Sequence, residues 1–222
     1  MRWTAFLFCF FFISLVHILA LTAGWEPVVF YSKILLMPSL LLAFRKSAGR
    51  LHGPLIPAAW GLVFSTGGDI LLMLEKNEGP LFFYLGLGSF LIAQLFYIRS
   101  FLLLGPIRIP RTWGLLYTLY YLVFIGLLYV SMDLPLLIAV VFYGLTLTAM
   151  AWNSWRTSGG ISLVSNLAVT GAILFVASDS LLAINRFSSP IPSAGFWIMT
   201  TYILAQYLIA EGITRKVELL KR

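Results

Sequence analysis

Long apolar runs alternate with short polar joins along almost the whole chain. Stretches of about 17–25 apolar residues are long enough to cross a bilayer as helices. Glycine and proline mark the joins between the runs, in segments such as GWEP, NEGP, MDLP and SSPIPS. The apolar runs are predicted at about residues 3–23, 28–44, 54–74, 80–104, 112–130, 134–152, 161–184 and 194–213. The pattern therefore predicts an all-α fold, a polytopic transmembrane bundle of eight helices.

The joins between the runs are too short to form a domain of their own, and no repeat of fixed period is visible. We therefore expect residues 1–222 to form a single integral membrane domain. The first run follows Arg2, as the apolar core of a signal peptide would. It is longer than a usual signal-peptide core and precedes only a weak cleavage site before Gly24, so we interpret it as a membrane helix.

The charged residues separate into two sets when successive joins are assigned to opposite sides of the membrane. One side carries Arg2, Arg45, Lys46, Arg50, Arg99, Arg108, Arg111, Arg156, Arg215, Lys216, Lys221 and Arg222. The other side carries Lys76, Arg186, Glu26, Glu75, Glu78 and Asp133. Because lysine and arginine accumulate on the cytoplasmic side of membrane proteins, the pattern predicts that both termini are cytoplasmic.

Composition supports a membrane protein and excludes several other classes. Of the 222 residues, 60% are hydrophobic and 10% are charged, with a mean hydropathy of +0.95. A water-soluble domain needs far more polar surface. The net charge of +7 does not indicate nucleic-acid binding, because the basic residues lie in short clusters between apolar runs. A single cysteine, Cys9, and two histidines, His17 and His52, predict neither a disulfide framework nor a metal site.

Four ionisable residues lie within or near the apolar runs, where a charge is costly and usually has a function. Lys33 lies roughly 8 Å into the second run at a rise of about 1.5 Å per residue. Asp69 and Asp179 each precede the outer end of their runs by a similar distance, so all three are expected at one level in the outer half of the membrane. Glu211 is near the cytoplasmic end, four residues before Arg215, and we interpret it as part of a solvated ion pair.

A lysine between two aspartates lowers the cost of burying these three side chains. Two carboxylates that share a site do not ionise equally, so one can act as an acid and the other as a base, which suits a hydrolase. Gly67 and Gly68 would allow another backbone or a lipid chain to approach Asp69 closely. The alternative for Lys33 is that its long stem snorkels to the headgroups. The alternative for Asp69 and Asp179 is a structural role.

Two amides interrupt the apolar runs, and each has a tyrosine on the same helical face. Tyr97 follows Gln94 by three residues, and Tyr202 precedes Gln206 by four. Two interpretations remain open for these residues. They line a polar pocket, or they form the interhelical hydrogen bonds that commonly hold membrane bundles together.

Five motifs occur in a fixed order along the chain. They are SKILLMP in the second run, GGDILLML in the third, GSFLIAQLFYI in the fourth, GAILFVASDSLLA in the seventh and YILAQYLIAEG in the eighth. The fifth and sixth runs supply no motif. In their order and spacing, over roughly residues 28–212, the motifs resemble the lysoplasmalogenase family of YhhN-like membrane hydrolases. Each motif is short, so the specificity comes from the order, the spacing and the eight runs together.

The resemblance implies hydrolysis of the vinyl-ether bond of a lysoplasmalogen, which gives a fatty aldehyde and glycerophosphoethanolamine or glycerophosphocholine. It implies no metal or organic cofactor, a lysophospholipid substrate taken from the bilayer, and no nucleic acid or obligatory protein partner. We expect Asp69 and Asp179 to be the catalytic pair. The expected substrate-binding or supporting residues are Lys33, Gln94, Tyr97, Tyr202 and Gln206. Between the bacterial inner membrane and the endoplasmic reticulum, we favour the former.

Two positions depart from the family pattern. The family lysine is often followed directly by proline, whereas Lys33 is followed by Ile34, and the proline comes at Pro38. The fourth-run motif often has histidine where this chain has Gln94. If that histidine were an obligatory proton donor, this protein would be impaired or would use another substrate.

Two other functions are compatible with carboxylates in a membrane. A proton-coupled carrier would use buried ionisable groups for ion coupling, although Pro38 is only a weak sign of the broken helices that carriers use. An intramembrane aspartic protease would carry Gly-x-Gly-Asp and Tyr-Asp. This chain has Thr66-Gly67-Gly68-Asp69 and lacks a Tyr-Asp pair. Hydrolysis of a lysoplasmalogen is therefore our first hypothesis, with the carrier second.

Overall fold

The computed structural model describes residues 5–106, 112–158 and 166–221, apart from the side chain of Lys76. In this part of the chain every long element is a helix and no strand occurs. The helices are α1 Ala5–Ala23, α2 Glu26–Ala48, α3 Leu55–Glu78, α4 Leu81–Leu102, α5 Thr112–Leu128, α6 Leu134–Ser154, α7 Leu167–Phe187 and α8 Ala194–Leu220. Short 3-10 turns follow α5 and α6. Each of the eight helices is long and apolar enough to cross a membrane, which confirms the predicted all-α bundle of membrane helices.

Several helices continue past the apolar runs that predicted them. α2 ends at Ala48, α3 at Glu78, α7 at Phe187 and α8 at Leu220. Hydropathy marks where the apolar residues stop, whereas backbone hydrogen bonding continues into the polar interface. Four of the residues assigned to the cytoplasmic side lie outside the described residues, namely Arg2, Arg108, Arg111 and Arg222.

Local sequence explains where some helices start and stop. The Asp133 carboxylate accepts a hydrogen bond from the Leu136 backbone N–H at 3.0 Å and so caps the start of α6, where Pro135 occupies the first turn. Gly79 ends α3 with a φ of 98°, a conformation that L side chains rarely adopt. The turn at Gly79 then directs the chain back into α4.

The bundle is built from closely packed helix pairs. α3 packs most extensively on α4, and α7 packs on α8. Gly212 of α8 lies so close to α7 that an added Cβ atom would be 2.4 Å from the Ala168 backbone nitrogen. α8 also contacts α1, α2 and α3, and a continuous core of buried side chains extends from α1 to α8. The two pairs therefore meet along α8, between the helices that carry Asp69 and Asp179.

α5 differs from the other helices because nearly all of its residues are exposed or only partly buried. Leu128 is its one buried residue, and the helix packs mainly against α6. The exposed residues include Leu115, Leu119 and Leu122. In a membrane these side chains face lipid, so α5 forms a thin apolar wall on one side of the bundle.

Candidate active site

A cavity of about 120 Å³ lies near the end of the bundle where α2 begins and α3 and α7 end. Lys33, Asp69 and Asp179 all contribute to its wall. The structure thus brings together the three ionisable residues that the sequence placed at one level. Most of the remaining wall is apolar or aromatic, and α5 contributes Phe124 and Ile125 to it. Charged groups in an apolar, partly enclosed space are a common arrangement of binding and active sites.

Asp69 is held by two partners from two other helices. Its side chain is buried, with 3% of the residue exposed. The Tyr202 hydroxyl of α8 donates a hydrogen bond of 2.8 Å to Oδ2. Lys33 Nζ of α2 lies 3.8 Å from Oδ1. Each carboxylate oxygen therefore has a partner, and a cation balances the buried charge.

Asp179 has a different environment. The Tyr143 hydroxyl of α6 donates a hydrogen bond of 2.5 Å to Oδ2. The residue is partly exposed and lines the cavity. Among the side chains that the structure describes, no lysine or arginine forms an ion pair with it. The two carboxylates thus share one cavity, but of the two only Asp69 has a counter-ion among the described side chains.

The glycine that precedes Asp69 makes room for an aromatic side chain. A Cβ atom at Gly68 would lie 2.5 Å from a ring carbon of Phe90. The Phe90 ring in turn packs edge-to-face on Tyr202, with the ring centroids 5.9 Å apart. The absence of a side chain at Gly68 therefore makes room for a side chain of α4. The sequence had instead predicted that a backbone or a lipid chain would approach here. The ring that enters supports the tyrosine that donates to Asp69.

Gln206 lies outside the cavity wall and connects three helices. It is fully buried, accepts a hydrogen bond of 2.5 Å from the Tyr97 hydroxyl, and donates one of 2.9 Å to Ser65 Oγ. These bonds connect α8 with α4 and α3. Neither Tyr97 nor Gln206 lines the cavity. The structure favours the interhelical interpretation for both residues, and it pairs Tyr97 with Gln206 across the bundle.

Gln94 is the second fully buried amide. Its Oε1 accepts a hydrogen bond of 2.6 Å from Thr146 of α6, and it too is absent from the cavity wall. Its Nε2 atom has no hydrogen-bond partner among the described residues. Gln94 therefore connects α4 to α6, the helix that provides Tyr143.

The prediction of a solvated ion pair at Glu211 is wrong in one respect. The pair exists, with Arg215 Nε 2.5 Å from Glu211 Oε1. However, 1% of Glu211 is exposed. The physical reason is that α8 continues to Leu220, so that the residues after 213 form another packed part of the helix. Glu211 is accordingly a buried carboxylate with a partly exposed arginine partner.

Sequence reasoning missed Tyr143 and Thr146, because no motif was found in the sixth run. A tyrosine or threonine in an apolar run carries no charge, so its cost in the membrane is small and its presence is unremarkable. Arg186 was also missed as a cavity residue. It lines the cavity at the end of α7, although its charge had been interpreted only as a marker of sidedness.

Comparison with known proteins adds independent information. The sequence model of the YhhN family matches residues 28–213. A pig (Sus scrofa) protein named lysoplasmalogenase TMEM86B is 29% identical over 95% of this chain and 87% of its own length. Lysoplasmalogenase TMEM86A of Bos taurus and lysoplasmalogenase TMEM86B of Homo sapiens are each 33% identical, over 68% and 69% of this chain and 62% of their own lengths. No solved structure matches the chain significantly.

Proposed function

The chain belongs to the YhhN family, and on that premise we propose that it is a lysoplasmalogenase that hydrolyses the vinyl-ether bond of a lysophospholipid. The observation that carries the proposal is the cavity in which two differently paired aspartates face an apolar wall. The products would be a fatty aldehyde and a glycerophospho-alcohol such as glycerophosphoethanolamine or glycerophosphocholine. We place this activity in a single integral membrane domain over residues 1–222.

The reaction needs a proton donor and an anion close to the same bond. Protonation of the vinyl β-carbon gives an oxocarbenium ion, and water adds to it to form a hemiacetal. The hemiacetal then collapses, so that R–CH=CH–O–R′ and water give R–CH₂–CHO and HO–R′. A carboxylic acid can supply the proton, and a carboxylate can stabilise the cation, as paired carboxylates do at glycosidic bonds.

The different partners of the aspartates support different roles for them. Lys33 balances a negative charge on Asp69, so Asp69 is the carboxylate that stabilises the oxocarbenium ion. Asp179 has Tyr143 but no described cation as a partner, so it carries the proton and delivers it to the β-carbon. After the transfer, the Asp179 carboxylate can accept a proton from the attacking water. Tyr143 and Tyr202 hold the two carboxyl groups in place.

The apolar wall suits the vinyl group of the substrate. Phe83, Leu87 and Phe90 line the cavity from α4, and Phe124 and Ile125 line it from α5. A cavity of about 120 Å³ is too small for a whole lysolipid, so we place only the vinyl ether and the adjacent glycerol inside it. The long chain then lies along the bundle in the surrounding lipid.

Product analysis tests the proposed activity directly. Purified protein in detergent is incubated with an alkenyl lysolipid and with the matching saturated alkyl ether, and the products are identified by mass spectrometry. We expect a fatty aldehyde from the alkenyl lipid alone, because a saturated ether has no carbon–carbon double bond that a proton can attack. Release of a fatty acid from acyl lysolipids with no aldehyde would overturn the proposal. Unchanged lipid in detergent, together with transport by the same protein reconstituted into vesicles, would instead support the carrier.

The orientation of the bundle is also a proposal. The described basic residues Arg45, Lys46, Arg50, Arg99 and Lys221 lie near the helix ends opposite the cavity. By the positive-inside rule, both termini are then cytoplasmic, and the cavity opens towards the other side. The eight helices make the protein a multi-pass membrane protein. We propose the bacterial inner membrane as its location.

We expect cysteines placed at Glu78 and Lys221 to lie on opposite sides of the membrane. Glu78 ends α3 near the cavity, and Lys221 follows α8 at the far end. In a Cys9→Ser background, a membrane-impermeant maleimide should label Glu78→Cys in intact bacterial spheroplasts and Lys221→Cys only after lysis. Labelling of both positions from the same side would contradict the proposed arrangement of the helices.

A further inference from the structure

An arginine of the cavity wall forms an ion pair with a glutamate, apart from the two aspartates, and we call the position of this pair the rim of the cavity. Arg186 at the end of α7 pairs with Glu75 at the end of α3, and its Nη1 atom donates to Glu75 Oε2 at 3.3 Å. The Arg186 guanidinium lies 4.1 Å from the centre of the Phe83 ring. Arg186 also belongs to the cavity wall. The guanidinium is thus fixed by two contacts while it faces the space that a substrate would enter.

We propose that this pair binds the zwitterionic headgroup of the substrate, with Arg186 on the phosphate and Glu75 on the ammonium. This inference rests on the proposed function, since it identifies the headgroup class for the same cavity. A guanidinium has five N–H donors, and the pair with Glu75 uses two of them. The other donors remain for a phosphate, an anion that arginine binds in a planar, bidentate manner.

The exposure of the pair fits this role. The side chain of Arg186 is 38% exposed and that of Glu75 is 19% exposed, whereas that of Asp69 is 4% exposed. Exposure therefore increases from Asp69 to the rim, as the polarity of a lysolipid does from the vinyl ether to the headgroup. Lys33 is already paired with Asp69, so Arg186 is the cation of the described cavity wall that does not neutralise a catalytic carboxylate.

The spacing along the helices also matches the substrate. Arg186 follows Asp179 by two helical turns, about 10 Å along α7, and Glu75 follows Asp69 by roughly 9 Å along α3. In a lysoplasmalogen, six covalent bonds separate the vinyl carbon attached to oxygen from the phosphorus, a span of roughly 8 Å. A substrate whose vinyl ether contacts the aspartates therefore has its phosphate level with Arg186.

The charge order of the pair is complementary to that of the headgroup. In ethanolamine and choline phospholipids, one oxygen and two carbons separate the phosphorus from the ammonium nitrogen. The phosphate and the ammonium are consequently close enough to face a guanidinium and a carboxylate that are in contact with each other. An alkenyl lysophosphatidate, which has no ammonium, would leave Glu75 beside a phosphate and is expected to bind less well.

A binding experiment with saturated ether lipids tests the inference independently of hydrolysis. The ligands are an alkyl-ether glycerophosphoethanolamine and the corresponding alkylglycerol, which has no phosphate. We expect the phospholipid to raise the melting temperature of the wild-type protein more than the alkylglycerol does. Arg186→Gln should weaken binding of the phospholipid by about ten-fold or more and leave that of the alkylglycerol unchanged. Arg186→Lys keeps the charge and should retain part of the affinity.

A kinetic experiment uses the hydrolysable counterparts. For the alkenyl phospholipid, Arg186→Gln should raise KM by roughly ten-fold with little change in kcat, because the interaction is made equally in the ground and transition states. For alkenylglycerol it should change neither parameter. Glu75→Gln should reduce the preference for the ethanolamine lipid over the lysophosphatidate. Arg45→Gln, at an exposed arginine near the far end of α2, is the matched control and should behave as wild type.

The possible outcomes separate the headgroup proposal from its alternatives. An equal effect of Arg186→Gln on lipids with and without phosphate overturns it. A competition measurement gives a second criterion: if inorganic phosphate displaces the lysolipid as readily as glycerophosphoethanolamine does, the proposal is also overturned. If the wild-type protein releases no aldehyde while binding still depends on Arg186, the proposed hydrolysis fails and the headgroup site stands. If aldehyde is released and binding ignores Arg186, the headgroup site alone fails.

Discussion

Asp69→Asn and Asp179→Asn should each lower aldehyde release by at least about 10²-fold, because proton transfer by Asp179 contributes about 10²–10⁴-fold and charge stabilisation by Asp69 about 10²–10³-fold. Asparagine has the size of aspartate and still accepts the hydrogen bond from Tyr202 or Tyr143, so the geometry around each position should persist. What is removed is the ionisable group. The measurement is initial-rate aldehyde release from an alkenyl lysolipid by purified, monodisperse protein.

Asp133→Asn is the matched control for these two substitutions. Asp133 caps α6 outside the cavity, and asparagine caps helices about as well as aspartate, so both activity and folding should be unaffected. If Asp179→Asn retains more than about a tenth of the wild-type rate, Asp179 does not transfer the proton, and the same result for Asp69→Asn would show that Asp69 does not stabilise the cation. Loss of folding together with activity would identify a structural ion pair instead.

Lys33→Met should destabilise the protein by roughly 3 kcal/mol, because it leaves Asp69 as a buried carboxylate without its cation. Methionine retains the apolar stem of lysine, so the packing of α2 should change little. The measurement is the free energy of unfolding in mixed micelles, taken from reversible denaturation with sodium dodecyl sulfate. The double variant Lys33→Met/Asp69→Asn should recover a large part of the loss, since it has neither charge.

The control for Lys33→Met is Lys46→Met, which removes an exposed lysine at the far end of the same helix. Its expected effect is within about 0.5 kcal/mol. A Lys33→Met variant as stable as Lys46→Met would show that Lys33 only reaches the headgroups and does not support Asp69. A double variant no more stable than Lys33→Met alone would show that the ion pair is not the cause of the loss.

The sequence was sufficient to identify the charged part of the site, because a charge in an apolar run is conspicuous. Lys33, Asp69 and Asp179 stood out for this reason, and helical rise put them at one level. Tyr143 could not be found in the same way, since tyrosine is common in membrane helices. Its importance comes from a contact with a residue 36 positions away, and this contact depends on how α6 and α7 pack.

The amides show a second limit of sequence reasoning. Helical spacing correctly put Tyr97 near the face of Gln94, but the Tyr97 hydroxyl donates to Gln206, which is 109 residues away. The spacing of residues shows which side chains share a face of one helix, but it does not show which other helix packs against that face. For Arg186, the predicted end of the seventh helix was wrong, and this error hid a residue of the cavity wall. The apolar run was expected to end at 184, whereas α7 continues to Phe187 and keeps Arg186 in helical register with Asp179.

The unlike walls of the cavity have a consequence for how the reaction ends. The α5 wall is thin and would border the hydrocarbon of a membrane, while the rim at Arg186 and its partner Glu75 is polar, partly exposed and would border water. Cleavage would convert one amphiphile into an oil-soluble aldehyde and a water-soluble glycerophospho-alcohol. Each product then partitions into the phase that adjoins its own side of the cavity. Since the two phases do not mix, neither product accumulates beside the other, and recombination of the pair is disfavoured by dilution alone.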